Sequence, residues 1–157
     1  MRRMEHSINW PPAGQYILAI SGGADSMVLL AVMATAAEQR GYRLVVAHVN
    51  HGLRSDSNDD ESFVHAAANR LGLEFTSIRA RLVQASEAQA REFRYGWLQQ
   101  VRGSHNAVAI VTAHHADDLI ETSLLNLARG SGRRGLAPMV SGDVVRPFLK
   151  ISRAKLR

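Results

Sequence analysis

The sequence predicts an α/β domain, a doubly wound and mainly parallel sheet with helices on both faces. Three observations point there. Short apolar runs alternate with segments of helical spacing along the 157 residues. The apolar runs show little in-out alternation, so both faces of the sheet need cover. Two glycines also fall where the first predicted strand hands over to the first predicted helix, the place where such sheets bind ligands.

The first fifteen residues read as an irregular segment, because Trp10-Pro11-Pro12 bars a regular helix. Tyr16 to Ile20 has the composition of a buried strand. Asp25 to Arg40 has helical spacing, with Met27, Leu30, Ala31 and Ala34 predicted inward, and Gly41 stops it. Arg43 to Val49 (RLVVAHV) is a second buried strand. A polar, turn-rich stretch follows, Asn50 to Asn58, carrying His51, Arg54 and Asp56. Asp59 to Leu71 is helical and ends at Gly72. Glu74 to Ile78 is a weaker strand, and Ser86 to Arg102 a helix with Ala90, Phe93 and Leu98 inward. Ala107 to Ala113 (AVAIVTA) is the fourth strand and Asp117 to Ala128 the next helix. RGSGRRG, residues 129–135, reads as a flexible loop. Val144 to Phe148 is extended, and Ser152 is placed to cap a last helix. No repeat, low-complexity tract or linker divides the chain, so one domain is expected over residues 1–157.

Composition narrows the function classes. The apolar fraction of 46% is that of a soluble globular protein. Cysteine is absent, which excludes disulfides and thiolate metal sites and fits a reducing, cytoplasmic setting. No apolar run reaches membrane-spanning length, and no apolar region follows the basic Met1-Arg2-Arg3, so neither a membrane partner nor a signal peptide is expected. The net charge of +5 is unevenly spread: eight of the basic residues and one acid, Asp143, lie from Arg129 onward. Such a patch suits an anionic partner, although a solvated basic surface has the same composition.

The stretch ILAISGGADSMVLL, residues 17–30, carries the strongest chemical signal. Glycine permits positive φ and close approach of a ligand to the backbone. The N–H groups of such a turn, with those of the helix start, form an anion cradle to which Ser21 and Ser26 add hydroxyls. Neither the Walker A spacing nor Gly-x-Gly-x-x-Gly is present. Asp25 repels a phosphate unless magnesium lies between them, which makes it the candidate metal ligand. An ordinary strand-to-helix turn with Asp25 near the helix start is the simpler alternative. Asp118 and Glu121 share a helix face, and Asp117 and Glu121 are also close. These acids could hold magnesium, receive an ammonium group, or sit favourably at a helix N-terminus.

The word Ser-Gly-Gly-x-Asp-Ser resembles the PP-loop of the N-type ATP pyrophosphatases. Further words narrow the resemblance: HVNHGLR (48–54), EAQAREFRY (87–95), TAHHADDLIET (112–122) followed by RGSG and Gly135-Leu136, and RPFL (146–149) with Ser152-Arg153. In this order and spacing the chain resembles the tRNA(Ile)-lysidine synthetase family from about Ile17 to Arg153. Leu119 and Pro138 depart from the family's usual residues. The resemblance implies a PP-loop ATP pyrophosphatase-like fold, with ATP and Mg2+ as cofactors and lysine and a CAU-anticodon tRNA(Ile) as substrates. It implies that Ser21, Gly22, Gly23, Ala24, Asp25 and Ser26 bind ATP, and that Arg91, Asp118 and Glu121 bind lysine. Asp25, His114, Asp118 and Glu121 are the implied catalytic residues, and Arg129, Arg133 and Arg134 are expected to meet tRNA. Family members usually continue into further tRNA-binding regions, so truncation at the C-terminal end is expected, and a homo-oligomer stays open. A tRNA thiolase of the same superfamily, or a nucleotide-binding module without turnover, are the alternative readings.

Overall fold

A computed structural model describes residues 5–50, 57–80, 86–128 and 142–156. The turn-rich His51, Arg54 and Asp56, and the expected tRNA contacts Arg129, Arg133 and Arg134, lie outside the described residues. After a 3-10 turn at Glu5–Ser7, the chain runs β1 (Gly14–Ala19), α1 (Ala24–Arg40), β2 (Tyr42–Asn50), α2 (Ser57–Arg70) and β3 (Glu74–Arg79). It continues with α3 (Glu87–Ser104), β4 (Ala109–Val111), α4 (Ala116–Ala128), β5 (Val144–Val145) and α5 (Arg153–Leu156). No helix among the described residues is long and apolar enough to cross a membrane.

The five strands form one sheet in the order β3-β2-β1-β4-β5, and every pairing is parallel. The chain steps from β1 to β2 to β3, then returns past its starting point to β4. Right-handed crossovers put helices on opposite faces when the direction of travel reverses. The packing agrees. Tyr16, Leu18, Ile20, Leu44 and Val46 point into a core with Leu29, Leu30 and Met33 of α1 and Val64 and Ala68 of α2. Ile17, Val45, Ala47 and Ile110 point the other way, onto Leu98 and Val101 of α3. Alternate residues of each inner strand are therefore buried on opposite faces, which is why the strands look uniformly apolar in sequence.

The buried face of α1 differs from the one expected. Ser26, Leu29, Leu30 and Met33 are buried, with Val32, whereas Met27 and Ala34 are half-buried and Ala31 is exposed. Small alanines made the apolar stripe of this helix broad, and the sheet selected the larger side chains. Gly41 ends α1 in a left-handed conformation, φ 67°, its N–H bonded to the carbonyls of Ala37 and Glu38. In α3 the buried residues are Leu98 and Val101, while Ala90 and Phe93 are half-buried. A capping box at Ser86 and Gln89 starts this helix. The extended stretch expected from Val144 to Phe148 keeps strand pairing only at Val144 and Val145 before turning.

The segment ahead of β1 is tied to the body. The Tyr16 hydroxyl donates to the Pro12 carbonyl at 2.7 Å and the Tyr42 hydroxyl to the Pro11 carbonyl at 2.8 Å. The Arg40 guanidinium covers the Trp10 ring at 4.0 Å. The two tyrosine rings meet edge to face at 5.6 Å. Burial of both raises their pKa values.

Candidate active site

The sheet order puts the topological switch between β1 and β4, and a cavity of about 590 Å³ opens at the C-terminal ends of β1, β2 and β4. Ser21, Gly23, Ala24, Asp25 and Ser26 line one side of it. His48, Val49 and Asn50 line it from β2, Arg94, Tyr95 and Leu98 from α3, and Thr112, His114 and Asp118 from the β4–α4 turn.

The glycine turn is built as its sequence requires. Gly22 has φ 91°, which a side chain resists, and a Cβ there would come 3.4 Å from Asp60. Gly23 has φ −69° and ψ 156°, and a Cβ there would meet only the Ser21 hydroxyl, at 3.5 Å. The conformational demand therefore falls on Gly22, and at Gly23 the fold itself tolerates a side chain. Gly23 caps α1 without a side-chain hydrogen bond, so among the described residues no side chain covers the first N–H groups of the helix. The Ser26 hydroxyl donates to the Gly23 carbonyl at 2.8 Å and lies 3.2 Å from the Ser21 hydroxyl, which bridges the turn.

Asp25 sits in the first turn of α1. Its Oδ2 lies 3.6 Å from His115 Nε2 and 3.6 Å from Arg153 Nε. Its Oδ1 is buried without a hydrogen-bond partner among the described residues. A buried carboxylate oxygen left bare is costly unless a cation or donor meets it. Among the described residues no group of three or more His or acidic side chains could hold a metal alone.

His115 is buried between acids. Its Nδ1 lies 3.3 Å from Asp118 Oδ2 and 3.6 Å from Asp117 Oδ2. The backbone N–H of His115 donates to Asp118 Oδ2 at 2.8 Å, and that of Asp118 approaches His115 Nδ1 at 3.4 Å. This is a capping box with histidine in the place of serine. Asp118 thus both starts α4 and lines the cavity. Asp117 instead accepts the backbone N–H of Arg153 at 2.6 Å. Glu121 is exposed one turn further along and does not line the cavity.

His114 lines the cavity with Nδ1 2.8 Å from the Thr112 hydroxyl. Burial lowers its pKa to about 4, and Arg146, Arg91 and Arg94 push the same way against Asp118. The imidazole is therefore neutral at neutral pH.

Two arginines of α3 part company. Arg91 is exposed and faces the Tyr95 ring at 5.0 Å, outside the cavity lining. Arg94 lines the cavity, 5.5 Å from the same ring, and makes no ion pair among the described residues. Burial lowers its pKa. Nothing in the sequence separates Arg94 from Arg91, which stands in the same motif word; three residues of helix carry the guanidinium from rim to wall. Arg153 has as its only sequence signal the Ser152-Arg153 ending, and Asp60 has none.

Behind the β2 wall is a satisfied network. Glu61 of α2 accepts from the Asn50 amide at 2.8 Å and the Ser77 hydroxyl at 2.5 Å. These two bonds hold its pKa below the ordinary carboxylate value, with help from nearby His48 and Arg79. His48 is buried with Nδ1 2.8 Å from the Ile20 carbonyl, a contact that calls for a proton on Nδ1.

Comparison with known proteins agrees with this geometry. The sequence profile of the PP-loop domain family matches residues 1–157. The chain is 42% identical over 160 residues to a tRNA(Ile)-lysidine synthase of Thermus thermophilus, covering 98% of this chain and 31% of that protein. It is 40% identical over 152 residues to the enzyme of that name from Gloeobacter violaceus, covering 92% and 47%. For the one from Bacteroides thetaiotaomicron the figures are 37% over 166 residues, covering 99% and 38%. The chain thus spans between 31% and 47% of the length of these relatives. A U34-tRNA thiolase from Methanococcus maripaludis, solved with its [4Fe-4S] cluster, superposes with a TM-score of 0.81 at 16% identity, over 99% of this chain and 60% of that one, a likeness of fold alone. The uncapped glycine turn at the switch point, the orphaned Asp25 oxygen beside it and the match along all 157 residues have one explanation, that this chain belongs to the PP-loop domain family.

Proposed function

We propose that the chain carries the nucleotide-using site of a tRNA(Ile)-lysidine synthase. In this reading the C2 oxygen of the wobble cytidine of a CAU-anticodon tRNA(Ile) attacks the α-phosphorus of ATP. The bond to the bridging oxygen breaks and pyrophosphate leaves with the electron pair. The lysine side-chain amine then attacks C2 and loses a proton, and AMP leaves with the former C2 oxygen. The observation that carries the proposal is that separated sequence words meet in one cavity: the 21–26 turn, 48–50 of β2, Arg94-Tyr95 of α3, the 112–118 turn and Arg153.

Roles follow from position and chemistry. Ser21, Gly22, Gly23, Ala24 and Ser26 hold phosphate through backbone N–H groups and hydroxyls. Asp25 is the metal ligand. Magnesium fits there because it needs only one or two carboxylates beside substrate phosphates, and Asp25 keeps one oxygen without a partner. When bound, it would offset phosphate charge. Asp118 and Glu121 receive the lysine ammonium. Arg94 takes the lysine carboxylate from the cavity wall, and Arg91 adds positive charge at the rim. Neutral His114 adds no repulsion to the incoming amine and can accept its proton in passing. Arg129, Arg133 and Arg134 are proposed to grip tRNA phosphates, a salt-dependent contact with little sequence information.

The test is an incubation of the chain with α-labelled ATP, lysine and tRNA(Ile). Adenylated tRNA without lysine, and lysidine with it, is the expected result. Nucleotide binding without either product would leave only the binding-module reading. The absence of cysteine from these 157 residues argues against the branch of tRNA thiolases that carries Cys-x-x-Cys pairs.

A further inference from the structure

We propose that Arg153 is a phosphate-binding residue for the pyrophosphate half of the nucleotide, and that its contact with Asp25 is the parked position of its side chain. The inference rests on the nucleotide reading above and adds a residue to it.

The backbone of Arg153 is fixed, but its side chain is not. Phe148, Ile151 and Leu156 are buried in the core on the α1 face, so the short α5 cannot shift without exposing them. The Ile151 carbonyl accepts the N–H of Ala116 at 3.0 Å, and the N–H of Arg153 donates to Asp117 at 2.6 Å. Both bonds stitch this segment to the start of α4 through the segment's own backbone atoms. The guanidinium takes no part in them. It is more than half exposed, at 56%, and reaches into the cavity beside the 21–26 turn. Among the described residues its one ion pair is with Asp25 at 3.6 Å, longer than a hydrogen bond and made to a single oxygen. A half-exposed pair of that length is weak, and a better anion displaces it.

The charge on this wall explains what that anion is. Asp25 and Asp60 both line the cavity near the turn, and a triphosphate brings several more negative charges. The turn itself offers only N–H dipoles and hydroxyls. When the α-phosphorus bond breaks, the electron pair stays on the departing pyrophosphate, so negative charge grows on the β- and γ-phosphates. Arginine's planar fork matches phosphate oxygens and keeps its charge. Arg94, the other guanidinium in the cavity lining, comes from α3 on the opposite sheet face. Arg153 alone of the two stands in contact with a residue of the glycine turn. A cation bound at Asp25 would also release Arg153 from its parked position, so loading of the site and delivery of the arginine are coupled.

The experiment is calorimetric titration of inorganic pyrophosphate, ATP and AMP, each with magnesium, into wild type, Arg153→Gln and Arg153→Lys. Glutamine keeps the stem and the N–H that Asp117 needs. We expect Arg153→Gln to weaken pyrophosphate and ATP about tenfold or more and AMP less than twofold, with Arg153→Lys between it and wild type. The same discrimination should persist on an Asp25→Asn background, where a role confined to holding Asp25 would vanish. Equal weakening of AMP and ATP, loss of the effect on that background, or no change would each overturn the inference. If Arg153→Gln does not fold, the Lys variant carries the test: unchanged AMP with weakened pyrophosphate supports it, and parallel loss overturns it. Wild type that binds neither ATP nor AMP would overturn the nucleotide reading as well.

Discussion

Glu61 stands behind the β2 wall of the cavity and Asp25 on its β1 wall, and the chain treats the two carboxylates differently. Glu61 is answered on both oxygens, by Asn50 and by Ser77. Asp25 has one oxygen shared between His115 and Arg153 at ion-pair distance and the other buried without a partner. A polar group satisfied within the fold holds the fold together. One left short of partners beside a cavity is what a ligand site looks like before its ligand arrives. The Glu61 network behind β2 is thus scaffold, and the wall that carries Asp25 is working surface.

The sharpest way to break the contrast is Asp25→Asn. Activity should fall on the order of 10²-fold or more, with the midpoint of urea unfolding little changed, because no hydrogen bond to Oδ1 is lost. A large stability loss with modest activity loss would make Asp25 scaffold instead. Next in size are Asp118→Asn and Glu121→Gln. Each should lower lysidine formation about tenfold while adenylation, read as pyrophosphate release, partly survives. Asp118→Asn should also lower the melting temperature, since Asp118 closes the α4 capping box. Equal loss of both half-reactions in both variants would remove them from lysine binding.

Glu61→Ala is the mirror experiment. It leaves the buried Asn50 amide and the Ser77 hydroxyl short of an acceptor, at a cost of about 1–3 kcal/mol in denaturant unfolding. The affinity for ATP should change little while the protein stays folded. Because the folded pKa of Glu61 is lowered, its contribution to stability is present above the ordinary carboxylate pKa and is lost as pH falls through the folded value. Glu61→Gln should therefore flatten the acid limb of the stability curve. The smallest effect is expected at the far edge of the sheet. His105 Nε2 lies 3.0 Å from Glu74, which raises the histidine pKa. That contribution is present below pH about 6.5 and fades as pH rises through the raised value, and Glu74→Gln should remove it at a cost under about 1 kcal/mol.

Alternation of strand and helix, the uniformly apolar strands and the Gly-Gly turn were legible in the residues themselves, because strand period, burial on two faces and positive φ are local demands that leave a local trace. The family was legible in word order. What lay beyond the sequence depended on distances between elements. Which stripe of α1 faces the sheet was undecided, since alanine fits either side and only packing against Leu18 and Val46 chose Leu29 and Met33. That Arg94 reaches the cavity while Arg91 stays outside depends on how α3 lies on the sheet, as does the neutrality of His114, which comes first from burial. Glu121 shares a helix with Asp118 but stands outside the cavity lining, one turn further along. The partnership of Asp25, His115 and Arg153 joins three parts of the chain separated by some ninety and some forty residues. Only the closing of β4 beside β1, and of the last segment beneath α4, brings those groups within 4 Å, because Coulomb energy and desolvation depend on separation in space and not along the chain.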